Sequence, residues 1–189
     1  MNKVWGILIG VVVAVILFFV LPVWVTYNGM VTAGNTIDKT WEDVQAAYQR
    51  RLDVIPRIAE VAQFSVDAQI ELNTEVARLR EGYDKATTPD ELDNVNQEVT
   101  GIYANVRAEA VPVLDTAQLT ELNASIDNVE RVINNERKAF NTAVLTYNNK
   151  VKTFPGSLIA GWFNFEPREG FQAEAGAEKA PDINLGLEK

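Results

Sequence analysis

Leu119, Leu122, Ile126, Val129, Ile133, Phe140, Ala143, Tyr147 and Phe154 fall at spacings of three and four, with a seven where one slot is skipped. That pattern predicts one long amphipathic helix over residues 116–154, with a single apolar stripe that other helices must cover. A second such stripe runs through Tyr27, Met30, Gly34, Ile37, Trp41, Val44, Tyr48 and Ile55, with Arg51 occupying one slot. Pro56 is expected to end this helix, with Asp53 as a cap for the next. The following stripe, Ile58, Val61, Ser65, Ala68, Leu72, Leu79 and Tyr83, predicts a helix to about Tyr83, broken by Gly82 and the segment that follows Tyr83. Thr88-Pro89-Asp90-Glu91 then reads as a helix start: a capping hydroxyl, a proline in the first turn and a reach-back carboxylate. Leu92, Val95, Val99, Ile102, Tyr103, Val106 and Ala110 carry that helix to Val111-Pro112, and Asp115 with Gln118 opens the long one. The connections are short, so consecutive helices should run antiparallel.

Before all of these, the 21 residues from Trp5 to Val25 carry no charge. About 20 apolar residues cross a bilayer, and Trp5 and Trp24 stand where amphipathic rings prefer the headgroup level. A cleaved signal peptide is the alternative, with Val31-Thr32-Ala33 as a weak cleavage site. The apolar run is too long for that, so an uncleaved anchor is expected. The fold class is therefore all-α: one N-terminal transmembrane helix, then an up-down-up-down antiparallel four-helix bundle with coiled-coil-like packing. The divisions are an anchor over 1–26, the bundle over 27–154, an apolar segment near the membrane over 155–171, and a disordered acidic tail over 172–189.

Composition narrows the chemistry. Lys3 is the only charged residue before Tyr27, so 16 basic and 26 acidic residues, a balance of −10, lie beyond it. An acidic soluble part argues against nucleic acid and against electrostatic adhesion to anionic lipid. The chain has no cysteine and no histidine, which removes the commonest nucleophile, general base and metal ligands. Ser65, Ser125 and Ser157 have no histidine to activate them. No catalytic residue, cofactor or metal site is expected. The pairs Glu42-Asp43 and Asp90-Glu91 are sequence neighbours, which do not share a helix face. Lys3 ahead of the span, with no basic residue after it until Lys39, places the amino terminus in the cytoplasm and the bundle outside.

Three groups of residues stand out. Arg51 lies 24 residues beyond Tyr27, and Glu130 lies 22 residues before Lys152. At about 1.5 Å per residue their heights agree to about 3 Å, so Glu130 is expected to pair with Arg51 or Arg50 and fix helix register. Asn28, Asn35, Asn141, Asn148 and Asn149 are expected to make interhelical hydrogen bonds or face solvent. Leu158, Ile159, Trp162, Phe163 and Phe165 should arrive beside the bilayer and either touch its interface or close the bottom of the bundle.

Specific stretches resemble the LemA family of bacterial membrane proteins. They are Tyr27-Asn28, Asn35, Trp41, Asp43-Val44-Gln45, Arg50-Arg51-Leu52-Asp53-Val54-Ile55-Pro56, Glu130, Ile133, Glu136-Arg137, Asn141, Val144, Tyr147-Asn148, Phe154-Pro155, Leu158-Ile159-Ala160, Phe165, Phe171 and Ala173-Glu174-Ala175. The likeness runs over nearly the whole chain. Phe140 stands where the family usually has tyrosine, and Val111-Pro112-Val113-Leu114-Asp115 keeps only part of a family segment. The resemblance implies a single-pass protein of the bacterial cytoplasmic membrane, with a helical bundle and no settled biochemical activity. The expected role is a non-enzymatic interaction or scaffold protein of the cell envelope, working with the lipid bilayer, with an unidentified membrane or envelope protein, or with itself as a homo-oligomer. An accessory subunit of a membrane protease or transporter is the alternative. An envelope hydrolase is the lesser one.

Overall fold

The computed structural model describes residues 3–172, and within them every regular element is helical. Helix α1 (Lys3–Val15) passes through a π-helical turn at Ile16–Val20 into α2 (Leu21–Val61) without a break. The combined rod, Val4–Val61, is 58 residues long, and its N-terminal part is apolar enough to cross a membrane. Pro22, which has no N–H to donate, follows directly on the π-helical turn inside this continuous rod.

Four further helices follow: α3 (Val66–Lys85), α4 (Pro89–Ala110), α5 (Thr116–Lys152) and α6 (Gly156–Phe163). Side-chain contacts give their directions. Asp53 meets Arg80 while Gln45 meets the Tyr83 carbonyl, so α3 runs antiparallel to α2. Tyr48 meets Asp93 while Arg51 meets Asn96, so α4 runs parallel to α2. Arg51 meets Glu130 while Gly34 lies against Tyr147, so α5 returns antiparallel along nearly all of α2. One core joins these elements, with Met30, Val44, Tyr48, Leu52, Ile55, Leu79, Tyr83, Leu92 and Val99 all but inaccessible to water.

Helix α2 is the shared spine. Its distal half carries α3 and α4 as well as α5, whereas its half nearest the apolar end packs against α5, α6 and the extended segment that follows α6. Several expectations are corrected here. Pro56 does not end the helix but lies inside it. Leu52, Val54, Ile55, Ile58 and Ala59 are buried around it, and that burial offsets the roughly 3 kcal/mol an interior proline costs. The turn comes at Ala62-Gln63, where Gln63 takes φ 56° and the Phe64 N–H closes on the Ala59 carbonyl. Ser65 is therefore no stripe residue. It caps α3, accepting from the Ala68 N–H.

The other helix starts agree more closely with the sequence. Thr88 accepts from the Glu91 N–H, but the Glu91 carboxylate reaches back to the Thr87 N–H and hydroxyl rather than to Thr88. Asp115 and Gln118 form a full reciprocal box at the start of α5. At its other end α5 stops at Lys152, two residues early, and the Phe154 ring stands in the open. The distal stripe residues Leu122, Ile126 and Val129 are only partly covered.

The expected apolar segment 155–171 divides in two. Helix α6 folds back under the α2–α5 pair, with Gly156, Ile159 and Ala160 buried. After Asn164, in the left-handed conformation, the chain climbs as an extended strap along α5, past Asn148 and then Asn141. Of the tail expected to be disordered, Gln172 belongs to this strap, and 173–189 lie outside the described residues.

Candidate functional site

The strap and α4 meet at Arg137. This residue fills the gap between Ile133 and Phe140 in the α5 stripe, so the backbone aims a guanidinium at the core. Its two terminal nitrogens each donate to one oxygen of Asp93 at 3.1 Å, the fork geometry that suits a carboxylate. One of them also donates to the Tyr48 hydroxyl at 3.1 Å, and that hydroxyl donates to Asp93 at 3.3 Å. Below, the guanidinium carbon stands 4.5 Å from the centre of the Phe171 ring, and Nη2 is 3.4 Å from the Gln172 carbonyl oxygen. Arg137 thus ties α2, α4 and the strap to α5. Burial is the main influence on the Tyr48 phenol, with Arg137 opposing it, and pushes its pKa up to about 12. Burial also raises that of Tyr83.

Phe171 is held in an aromatic seat, stacked on Trp41 at 6.0 Å and edge-on to Phe140 at 5.4 Å. The strap backbone is read by two asparagines seven residues apart on α5. Asn148 donates to the Arg168 carbonyl at 2.8 Å and accepts from the Arg168 N–H at 2.9 Å. Asn141 does the same with Phe171, at 3.0 and 2.8 Å. Each amide side chain acts as the neighbouring strand that an extended backbone would otherwise lack. Gly170 permits the approach, since a methyl there would lie 2.7 Å from the Asn141 side-chain oxygen.

The residues singled out in the sequence are dispersed over the molecule. Arg51 Nη2 lies 3.6 Å from Glu130, with the arginine side chain 13 % and the glutamate 54 % exposed. Its stronger partner is Asn96 on α4, at 2.6 Å, which also accepts from Tyr83. Arg50 faces solvent and joins no ion pair among the described residues. Tyr103, beside Arg51, buries a hydroxyl with no partner. Trp5 and Trp24 are exposed on the apolar rod. Phe163 and Phe165 both pack edge-on against Tyr27, at 4.8 and 5.4 Å, while Trp162 points away from the protein. Asn28, Asn35 and Asn149 are exposed. In the sequence Arg137 and Phe171 stand only as family-like residues with no site role, and Asp93 is not singled out at all. An arginine completing an apolar stripe was the available signal for the first.

Three openings accompany these contacts. A cleft of about 210 Å³ at the distal end lies between Val54, Ile58 and Val61 of α2 and Leu122 and Ser125 of α5. A shallow groove of about 370 Å³ nearer the apolar end is walled by Ala33, Thr36, Thr40, Thr142 and Thr146. All four threonines donate to backbone carbonyls of their own helices, which leaves methyl groups on the groove surface. The third opening, between the start of α4 and the strap, is lined by Asp90, Glu169 and Gln172. No cluster of three acidic side chains suited to a metal ion occurs among the described residues.

Comparison with known families settles the kinship of this arrangement. The LemA family model matches residues 40–185. The chain belongs to the LemA family. The matched stretch begins in mid-α2 and contains the whole Arg137 node, both strap-binding asparagines and the aromatic seat of Phe171. No curated protein matches the chain. The LemA match does not include Trp5 to Thr26, so the membrane assignment rests on the apolar rod itself.

Proposed function

We propose that this LemA-family protein is a non-enzymatic strut of the bacterial cytoplasmic membrane, holding a helical head at a fixed height for a partner. The observation that carries this reading is the uninterrupted rod Val4–Val61, which is both the apolar segment and the spine of the core. A head built on the span itself moves with it, with no linker to take up slack. The head is a four-helix bundle of unequal partners, α2 lying at its centre, and by the charge of Lys3 it stands outside the cytoplasm.

The threonine-methyl groove supports a second reading, as an accessory subunit whose partner helix rises from the same membrane alongside α2 and α5. This differs from the first only in naming the partner as a membrane complex such as a protease or transporter. A hydrolase would need paired carboxylates facing a cleft. Asp90 and Glu169 are the pair that would serve, and both are exposed at the rim of an open depression.

The strut makes a distance prediction. Spin labels on single cysteines replacing Val12 and Lys39, 27 residues apart, should lie about 40 Å apart along a straight helix. Pulsed dipolar spectroscopy in nanodiscs should return one narrow distribution near that value. A broad distribution, or one centred well below it, would mean a hinge at the junction and end the strut reading.

A further inference from the structure

A row of large apolar side chains stands exposed at the base of the domain. Phe154, Leu158 and Trp162 are 80, 55 and 71 % exposed, and they succeed one another at intervals of four residues. The opposite side of α6 is buried through Gly156, Ile159 and Ala160. The packing is too close for adjustment, since a methyl on Gly156 would overlap the Lys150 carbonyl oxygen and stand 2.8 Å from the Met30 side chain.

These contacts fix the height of α6 against the rod. Its first residue meets Met30, and its last, Phe163, meets Tyr27. Met30 and Tyr27 are six and three residues past Trp24, or about 9 and 4.5 Å at helical rise. The headgroup layer on each side of a bilayer is about 5–7 Å deep. An eight-residue helix is about 12 Å long yet changes height here by about 4.5 Å, so it lies nearer flat than upright.

The charge at this level differs from the rest of the domain. Helix α2 carries no charged residue from Leu21 to Ile37. Up to the level of Asn148, the base presents Lys150, Lys152 and Arg168 against Glu166. The strap turns acidic again at Glu169, and acid returns on α2 at Asp38, followed by Glu42 and Asp43, starting about 16 Å beyond Tyr27. A Debye length of about 8 Å at physiological salt screens the head from the membrane surface. The overall charge of −9 therefore misrepresents what the bilayer meets.

We infer that α6 is an interfacial foot: Phe154, Leu158 and Trp162 enter the lipid interface, and Lys150 and Lys152 hold anionic phospholipid headgroups around it. The foot gives the strut a second point of attachment beside its span and fixes the tilt of the head. It rests on the strut reading in one respect, that Trp24 marks the interface.

The test uses the full chain in nanodiscs of phosphatidylcholine with a minority of phosphatidylglycerol. A Trp5→Phe/Trp24→Phe background leaves Trp41 and Trp162, and adding Trp162→Phe isolates their separate emissions. Bromine near the headgroup end of the acyl chains should quench Trp162 and leave Trp41, about 26 Å above Trp24, unaffected. At equal mole fraction, brominated phosphatidylglycerol should quench Trp162 more than brominated phosphatidylcholine, since each surface lysine favours anionic lipid by roughly fivefold. Lys150→Gln/Lys152→Gln should abolish that preference while Trp162 stays quenched, and Lys150→Arg/Lys152→Arg should keep it. Trp162 quenched no more than Trp41 would overturn the foot. Equal quenching by both lipids in the parent protein would overturn the headgroup assignment. The Val12–Lys39 distance reports the strut independently, because a lifted foot leaves it unchanged.

Discussion

Replacing Arg137 by methionine keeps most of the side-chain volume and removes the charge at the junction of α2, α4, α5 and the strap. Arg137 makes a two-pronged bond to Asp93, a bond to the Tyr48 hydroxyl and a cation–π contact with Phe171. Breaking a fully buried ion pair costs about 3–5 kcal/mol. Asp93 is 32 % exposed, so water recovers part of its solvation, and about 2–3 kcal/mol is expected. With a urea dependence of about 2 kcal/mol per molar, the midpoint should fall by about 1 M. Asp93→Asn should cost less, because asparagine still accepts from Tyr48. The decisive quantity is the double-mutant coupling, expected at about 1–2 kcal/mol for groups in direct contact. It is measured by urea unfolding in mild detergent, monitored by helical circular dichroism. If Asp93→Asn costs the same with and without Arg137, to within about 0.5 kcal/mol, the node contributes nothing as a unit and the reasoning fails.

Three smaller predictions address other parts of the molecule. Gly156→Ala should destabilise by about 1–3 kcal/mol and redden or quench Trp162 emission, because α6 must move to admit the methyl group; unchanged melting and emission would mean that the base is loosely packed. Tyr103→Phe should be neutral or stabilising by up to about 1 kcal/mol, since the hydroxyl it removes is buried without a partner; a clear loss of thermal stability would show that the hydroxyl has found one. Tyr48 is neutral when folded, with its pKa raised from 10.0 to about 12, so the folded state holds a proton that the unfolded state releases. Stability from this source is complete below pH 10 and falls between pH 10 and 12. Tyrosinate absorbance should rise in that window together with unfolding, and Tyr48→Phe should flatten the decline.

The features legible in the chain were those that repeat with a helical period or sit within one turn of a helix start. The uncharged run, the stripes of α2, α4 and α5, and the box of Asp115 with Gln118 are local patterns, and the structure places them accordingly. Glu130 lies at the height of Arg51, 3.6 Å from it, because two long helices with short connections keep a common scale. Pro56 misled because the rule for proline weighs only the local hydrogen bond and steric clash. The buried residues around it outweigh both, and no window of sequence shows what those residues pack against. The Arg51–Asn96 and Arg137–Asp93 bonds join residues 45 and 44 positions apart, beyond any periodic signal.

The strap was illegible for a more specific reason. Two helices packed side by side leave a seam on each face, and α4 covers one such seam only in the distal half. The remaining half is filled by extended backbone, which brings N–H and C=O groups that need partners away from water. A helix can supply such partners only through side chains, and asparagine offers a donor and an acceptor at peptide-like spacing. Asn141 and Asn148 stand seven residues apart, two helical turns, and so face the same seam. On a helix read alone they are ordinary polar residues. Their meaning appears only with the strand they serve, and Gly170 followed by Phe171, small where the backbone must approach and large where the aromatic seat is open, is the matching half of the signal.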